Sequence, residues 1–255
     1  MLQLKILVGL YYFIVGSCIG SFLNVVAWRL PRKLPIARGR SMCPKCGHTL
    51  SALDLVPFFS FLFLRGKCRY CGEPISWRYP AAEALTGLVF ALAGARYALS
   101  DIWYSAVLCL FFSALIIAWL TDRDETIIPD RVHLIILIAA AGSWFCGPQI
   151  SLIDRLIGAM GIGGVMLLIT IVTHGGIGYG DIKLMAVSGL LLGWQLIVPA
   201  FFFAYILALL RYLVPLLQKK LTAGQEIPMA PFFAISLMAF ALYGQTAITW
   251  YLSRF

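Results

Sequence analysis

Long apolar stretches separated by short polar breaks run through most of the chain. A bilayer core requires about 20 apolar residues per helix, and residues 4–27 form the first stretch of that length. The apolar run at 184–217 is too long for one helix, so we expect two, the first of them short, that meet at Gly193-Trp194-Gln195. The other stretches lie at about residues 80–99, 102–120, 132–145, 152–173 and 231–252. The pattern therefore predicts an all-α polytopic membrane protein with about eight transmembrane helices.

Composition agrees with this prediction. Hydrophobic residues make up 61% of the 255 residues, charged residues 12%, and the mean hydropathy is +0.90. A soluble globular domain carries about 25% charged residues. We expect the first stretch to be a retained helix rather than a cleaved signal peptide, because only Lys5 precedes its core and no small-residue cleavage site follows it.

Positive charge is concentrated in one polar segment. Ten basic and two acidic residues lie between Arg29 and Arg78, and they account for +8 of the net charge of +9. Loops rich in Lys and Arg face the cytoplasm, whereas the breaks near residues 100, 147 and 195 are nearly free of both. The charge therefore indicates a cytoplasmic loop rather than nucleic-acid binding, with the N-terminus outside. The predicted organisation is a first transmembrane helix (1–27), a basic cytoplasmic domain (28–79) and a transmembrane core of about seven helices (80–255).

Four of the seven cysteines form two Cys-x-x-Cys pairs in the basic domain. A glycine follows each pair and permits the turn that lets two thiolates point at one ion. This is the two-knuckle pattern of a structural zinc site. Disulfides are disfavoured in a reducing cytoplasm, and redox dithiols are disfavoured because no thioredoxin-like βαβ pattern surrounds either pair. The spacing therefore predicts a Zn²⁺ ion bound by Cys43, Cys46, Cys68 and Cys71.

The residues around the cysteines are expected to compensate the charge of this site. Four thiolates around Zn²⁺ carry a net charge of −2, which Lys45, Lys67 and Arg69 would offset. We expect His48, two residues after Cys46, to be a surface residue rather than a ligand. The apolar segment at 57–64 is too short to span a bilayer, so we expect it to pack in the core of this domain or at the membrane interface.

Two acidic sequences lie at the ends of apolar stretches. Gly178-Tyr179-Gly180-Asp181 precedes the sixth stretch, and Asp122-Arg123-Asp124-Glu125 follows the third. An ionisable residue at the edge of a membrane span is costly and suggests a function. The alternatives without a catalytic role are a helix-connecting turn with Asp181 as N-cap, and solvated loop acids at 124, 125 and 130. In the eight-helix topology, however, Asp122 and Asp181 emerge on loops at the same, cytoplasmic face.

Two such carboxylates can catalyse hydrolysis without a metal. Close carboxylates share one proton, because both cannot be ionised. One then acts as general base on water while the other, still protonated, donates to the scissile carbonyl. The glycines at 178 and 180 would permit a tight turn and a close approach of another chain. The pattern is therefore compatible with an aspartic peptidase, although two carboxylates alone do not prove one.

The order of these sequences resembles the bacterial type IV prepilin peptidases. Residues 20–31 resemble the N-terminal signature of that family, the four cysteines match its zinc-binding form, and 78–80 with Glu83 resemble the segment that follows. Residues 122–130 match the first catalytic motif and residues 178–184 the second. Residues 227–232 resemble a late proline motif, with Met229-Ala230 where Phe-Gly is usual. The resemblance extends from residue 20 to residue 232.

The resemblance implies the activity, partners and location. It implies an integral-membrane aspartic endopeptidase of the bacterial inner membrane, with Asp122 and Asp181 catalytic, Gly178 and Gly180 shaping the active-site loop, and the site facing the cytoplasm. The substrates would be type IV pilins or type II secretion pseudopilins, cut just before their hydrophobic helix. Family members usually also N-methylate the new terminus with S-adenosylmethionine, for which the sequence itself carries no Rossmann-like glycine motif. Substrate leaders are often basic, so membrane lipid, and specifically anionic lipid, is the expected partner of the basic domain.

Two other classes of protein stay open. A proton-coupled transporter with a zinc-stabilised cytoplasmic domain would place its carboxylates near the bilayer midplane, often within internal repeats, whereas here both acids lie at one face and no repeat is evident. A structural assembly partner would not need Asp122 and Asp181.

Overall fold

The computed structural model describes residues 1–36, 39–218 and 227–254. Within these ranges the regular structure is helical, apart from two isolated antiparallel bridges, Met42 with Thr49 and Lys67 with Pro74. The all-α prediction is confirmed. The chain divides into two compact units, residues 1–102 and 103–255. This division by compactness differs from the predicted boundaries after residues 27 and 79. Those boundaries separate membrane segments from a cytoplasmic one, and they stay a prediction.

The first unit is built on two long helices that pack against each other. Helix α1 spans Leu2–Arg29 and α3 spans Arg78–Ala93, continued by one π-helical turn, Gly94–Ala98. The two helices pack closely because small residues face each other: a Cβ at Gly20 would lie 2.7 Å from the Thr86 hydroxyl oxygen. Between them lie a 3₁₀ turn, Ala52–Leu55, and the short helix α2, Phe59–Phe63.

The second unit contains six helices within the described residues. Their bounds are α4 Ile102–Glu125, α5 Asp130–Gly142, α6 Leu152–Val172, α7 Tyr179–Leu192, α8 Trp194–Leu217 and α9 Ala230–Leu252. Residues of α4 such as Leu108, Phe111 and Phe112 are fully buried. Helix α7 packs against α5, α6, α8 and α9.

Five of the described helices are long and apolar enough to cross a membrane: α1, α4, α6, α8 and α9. Helices α3, α5 and α7 also occupy predicted apolar stretches, but they are shorter. The predicted short helix before Gly193 is confirmed as α7, which ends at Leu192, and α8 begins at Trp194. The structure thus supports a helical membrane protein, while the count of eight spans stays a prediction.

A buried arginine that the sequence reading did not single out joins three helices of the second unit. Arg155 of α6 is 2% exposed and donates hydrogen bonds to the Ser143 hydroxyl (2.8 Å), after α5, and to the Leu190 carbonyl (2.8 Å), near the end of α7. A cation is favourable at helix C-termini, where backbone carbonyls have no helical partner. Arg155 therefore holds the end of α7 opposite to the one that carries Asp181.

Candidate active site and metal site

Asp122 lies on a helix rather than on the predicted loop. Helix α4 continues through the charged residues to Glu125, so Asp122 belongs to its last turns and is 6% exposed. Its Oδ2 accepts a hydrogen bond of 2.9 Å from the backbone N–H of Ala230, the first residue of α9. A helix N-terminus stabilises a negative charge, so this contact favours the carboxylate form of Asp122.

Asp181 lies in the first turn of α7, which begins at Tyr179. The N-cap is Gly178, so the alternative of Asp181 as N-cap is wrong. The residue is half-buried, but its Oδ1 atom is fully buried and has no hydrogen-bond partner within the described part of the chain. Tyr205 of α8 is near enough to interact electrostatically with this carboxyl group.

The two aspartates line one open cavity of about 190 Å³. They also interact electrostatically with each other. The other lining residues come from the segment after α4 and from the start of α7: Thr126, Ile127, Ile128, Gly178, Tyr179 and Gly180. The structure thus brings together the four residues predicted for this site, although 59 positions separate the aspartates in the chain.

Neither glycine of this site adopts a backbone conformation that requires glycine, so the missing side chain matters for the space it leaves. Gly178 has φ −65° and ψ 135°, which any residue can adopt, and Gly180 is helical. A Cβ at Gly180 would lie 3.2 Å from Cβ of Ile128, whereas one at Gly178 would lie 3.5 Å from Oδ2 of Asp181. The expected tight glycine turn is therefore wrong. The expected close approach of another chain stays a prediction, because the neighbour of Gly180 is Ile128 of the same chain.

Helix α5 holds the start of α7 through two polar contacts. His133 Nε2 lies 3.0 Å from the Gly180 carbonyl oxygen, and Lys183 Nζ lies 2.8 Å from Asp130 Oδ1. The hydrogen bond and charge of Lys183 lower the pKa of Asp130. Asp130 is thus an exposed ion-pair partner rather than a simple loop acid. These contacts flank Asp181 on both sides and fix its helix turn.

Three residues of this site were missed by the sequence reading. Ala230 acts through its backbone, which side-chain chemistry does not reveal, although the resemblance at 227–232 marks the segment. His133 and Tyr205 lie inside apolar stretches without a recognisable spacing. Only packing brings His133 to the Gly180 carbonyl and Tyr205 near enough to Asp181 for an electrostatic interaction.

The four predicted metal ligands lie together in the first unit. Their sulfur atoms are all within 4.8 Å of one another, and Cys43 Sγ is 3.9 Å from Cys71 Sγ. Each knuckle has the same backbone bonds: Gly47 N–H donates to Cys43 O and Gly72 N–H to Cys68 O. Both glycines have positive φ, +68° and +73°, as the predicted turn requires. Four converging thiols fit a tetrahedral metal ion.

Charged pairs join the parts of the cysteine domain. Lys45 of the first knuckle lies 3.5 Å from Glu73 after the second, and Arg69 donates a 2.7 Å hydrogen bond to Asp54. Burial raises the pKa of Asp54, but hydrogen bonds from Ser51, Arg69 and Tyr70 outweigh burial and lower it to about 2. Lys45 and Arg69 therefore each pair with an acidic residue, in addition to their predicted role of offsetting the negative charge of the cysteine thiolates. His48 is exposed and stacks on Tyr70, as expected for a surface residue.

Comparison with known families matches both units. The Bacterial Peptidase A24 N-terminal domain matches residues 14–97, and the Type IV leader peptidase family matches residues 109–213. The first match contains the cysteine cluster, and the second contains Asp122 and Asp181.

Curated relatives are similar over most of the chain, and those cited here share the name prepilin leader peptidase/N-methyltransferase. The protein of Bacillus subtilis (strain 168) is 39% identical over 240 residues, covering 94% of this chain and 96% of the relative. That of Aeromonas hydrophila is 32% identical over 274 residues, covering 95% and 93%. That of Klebsiella pneumoniae is 34% identical over 204 residues, covering 76% and 89%. No solved structure matches the chain significantly.

Proposed function

The chain belongs to the type IV leader peptidase family, and we propose that it removes the leader peptides of prepilin-like precursors and methylates the new N-terminus. The observation that carries the peptidase assignment is the cavity that Asp122 and Asp181 line together. The relatives named as peptidase and N-methyltransferase support both activities, and the comparisons give the transporter alternative no support.

The environments of the two aspartates suggest different roles. Asp122 accepts the Ala230 N–H at the start of α9, which favours its charged form and makes it the general base. Asp181, with a buried oxygen that lacks a partner among the described residues, holds the shared proton. Because burial without a hydrogen bond disfavours a charge, this assignment puts one negative charge on the pair.

The reaction then needs no covalent intermediate. Asp122 takes a proton from water as the water oxygen attacks the scissile carbonyl, and Asp181 gives its proton to the carbonyl oxygen. Collapse of the tetrahedral intermediate returns a proton to Asp181, while Asp122 passes its proton to the leaving amine. Both carboxyl groups regain their starting protonation states, so the cycle is complete.

We propose that this reaction occurs at the cytoplasmic face of a bacterial inner membrane. The charge of the basic segment and the positive-inside rule support this orientation. The substrates would be type IV pilins or type II secretion pseudopilins, and anionic lipid would attract the basic domain.

The cysteine cluster is the proposed site of a structural Zn²⁺ ion. Four thiols without an open position fit a closed structural site rather than a catalytic one. Methyl transfer requires S-adenosylmethionine as the methyl donor, which is implied here by the names of the relatives.

Co-expression with a pilin-like precursor tests the assignment. Asp122→Asn and Asp181→Asn should each reduce leader removal by at least about 10²–10⁴-fold, because an amide can neither take nor give the proton. The Ala variants should fail as well. The matched control is Asp124→Asn, which changes an exposed acid on the same helix and should cleave almost normally. A mobility shift scores cleavage, and mass spectrometry of the mature N-terminus scores methylation. Full cleavage by either Asn variant would exclude the pair as the catalyst.

A further inference from the structure

Helix α2 in the first unit exposes apolar side chains that no described residue covers. Phe63 is 80% exposed, Leu62 60% and Phe59 56%, and α2 contains no buried residue. The neighbouring Trp77, whose ring lies tilted against Phe61 with ring centroids 4.6 Å apart, is 72% exposed. The expectation that this segment forms the core of the cysteine domain is therefore wrong, whereas packing at the membrane interface fits the exposure.

The position of α2 along α3 indicates what covers this face. The backbone N–H of Phe58, directly before α2, donates a 2.8 Å hydrogen bond to the Glu83 carboxylate. Glu83 lies five residues into α3, roughly 7.5 Å from its start at 1.5 Å per residue. Glu83 thus belongs to the stretch that the sequence predicts to enter the membrane. The segment before α2 therefore lies beside a turn of α3 that is predicted to be inside the membrane.

Charge around α2 suits a lipid surface. Residues 55–72 contain no Asp or Glu, and Arg65 and Lys67 lie in the segment that leads from α2 to Cys68. Aromatic and apolar side chains beside basic ones are typical of segments that lie in the interface of an anionic bilayer. We propose that α2 is a membrane anchor, whose Phe59, Leu62 and Phe63 enter the acyl region while Arg65 and Lys67 contact lipid phosphates.

The anchor is joined directly to the second cysteine knuckle. Gly66, with φ +71°, follows the end of α2, and its backbone N–H donates a hydrogen bond to the Phe61 carbonyl. The Gly66 carbonyl accepts a hydrogen bond of 2.7 Å from the backbone N–H of Ile75, which lies after the knuckle. Only Lys67 separates Gly66 from Cys68. Seating α2 in the bilayer thus fixes the height of the metal site above the membrane.

Photocrosslinking of the full chain tests this proposal. The photoreactive amino acid benzoylphenylalanine replaces Phe63 in one variant and Lys45, whose side chain is 68% exposed on the first knuckle, in the control. Both proteins are reconstituted, with metal, into vesicles of phosphatidylethanolamine and phosphatidylglycerol and irradiated. We expect a lipid adduct at position 63 at least about tenfold above that at position 45, the factor expected from burial of one such side chain.

The outcomes separate lipid from protein partners. A lipid adduct that is stronger with phosphatidylglycerol than with phosphatidylcholine alone, and weaker after Arg65→Gln with Lys67→Gln, supports both parts of the proposal. Equal adducts at 63 and 45 would overturn it, and so would crosslinks from 63 to a second protein chain. Retained metal content in each variant shows that the domain is folded, which makes a missing adduct interpretable.

Discussion

The cysteine cluster and the aspartate pair are assembled in different ways. The cluster consists of two copies of one local loop, each closed by the same backbone bond and the same left-handed glycine. The aspartates instead lie on the last turns of α4 and the first turn of α7, and the cavity is lined by these two helix ends together with the segment that follows α4. Spacing in the sequence therefore determines the geometry of the first site, whereas helix packing determines that of the second.

This difference predicts how each site fails. A local metal site depends on its ligands, because bound metal supplies folding free energy. A site assembled by helix packing depends also on residues that carry no chemistry, such as the glycine that admits Ile128 and the helix that begins at Ala230. Substitutions in the two regions should therefore differ in what they disturb.

The largest effect is expected at the cysteine cluster. Cys43→Ser or Cys68→Ser should abolish stoichiometric zinc binding and the protection of residues 39–77 from protease, since structural zinc contributes about 10–16 kcal/mol in small domains. Elemental analysis and limited proteolysis of the purified protein measure this. The control is Cys18→Ser, an exposed position on α1, which should keep about one zinc per chain. A metal-free protein with a fully protected loop would contradict the ligand assignment.

An intermediate effect should separate the two glycines of the active site. Gly180→Ala forces its methyl group against Ile128 at 3.2 Å and should reduce leader removal about tenfold, through overpacking of about 1–3 kcal/mol. Gly178→Ala meets ordinary van der Waals distance at 3.5 Å and an extended backbone, so its loss should be several-fold smaller. Initial rates with one precursor compare the two. The reverse order would show that packing against Ile128 does not limit the site.

The smallest effect is expected for the ion pair that joins α5 to α7. Lys183→Met removes a partner of Asp130 whose side chain is 82% exposed, so solvent screening should keep the change in stability small. Asp130 has a lowered pKa, so the pair contributes above the ordinary value of 3.8 and its contribution is lost as the pH falls through the lowered value. Thermal unfolding at neutral pH, with Lys5→Met as control, measures the difference. A large drop in the unfolding temperature of Lys183→Met, but not of Lys5→Met, would show that the pair is not solvent-screened.

Much of the fold follows from the apolar pattern, but helix ends do not. Hydropathy marks where lipid contact stops, whereas α4 continues through Asp122 to Glu125, because this segment contains neither Gly nor Pro, the residues that most disfavour a helix. The cysteine ligands were predictable because their geometry is local. The hydrogen bonds of Ala230 and His133 and the electrostatic interaction of Tyr205 were not, because they join residues far apart in the chain and carry no local signal.

Sidedness of the two aspartates tests the central claim most directly. Single cysteines would replace Thr126, Gly178 and Gln149 in a chain lacking Cys18, Cys109 and Cys146, which leaves the metal ligands intact. A membrane-impermeant thiol reagent should label positions 126 and 178 only after the cytoplasmic side is exposed, and position 149 in intact cells. A shared proton requires both carboxylates at one face, because a bilayer core of about 30 Å cannot be bridged. Opposite sidedness of 126 and 178 would therefore contradict catalysis by Asp122 and Asp181.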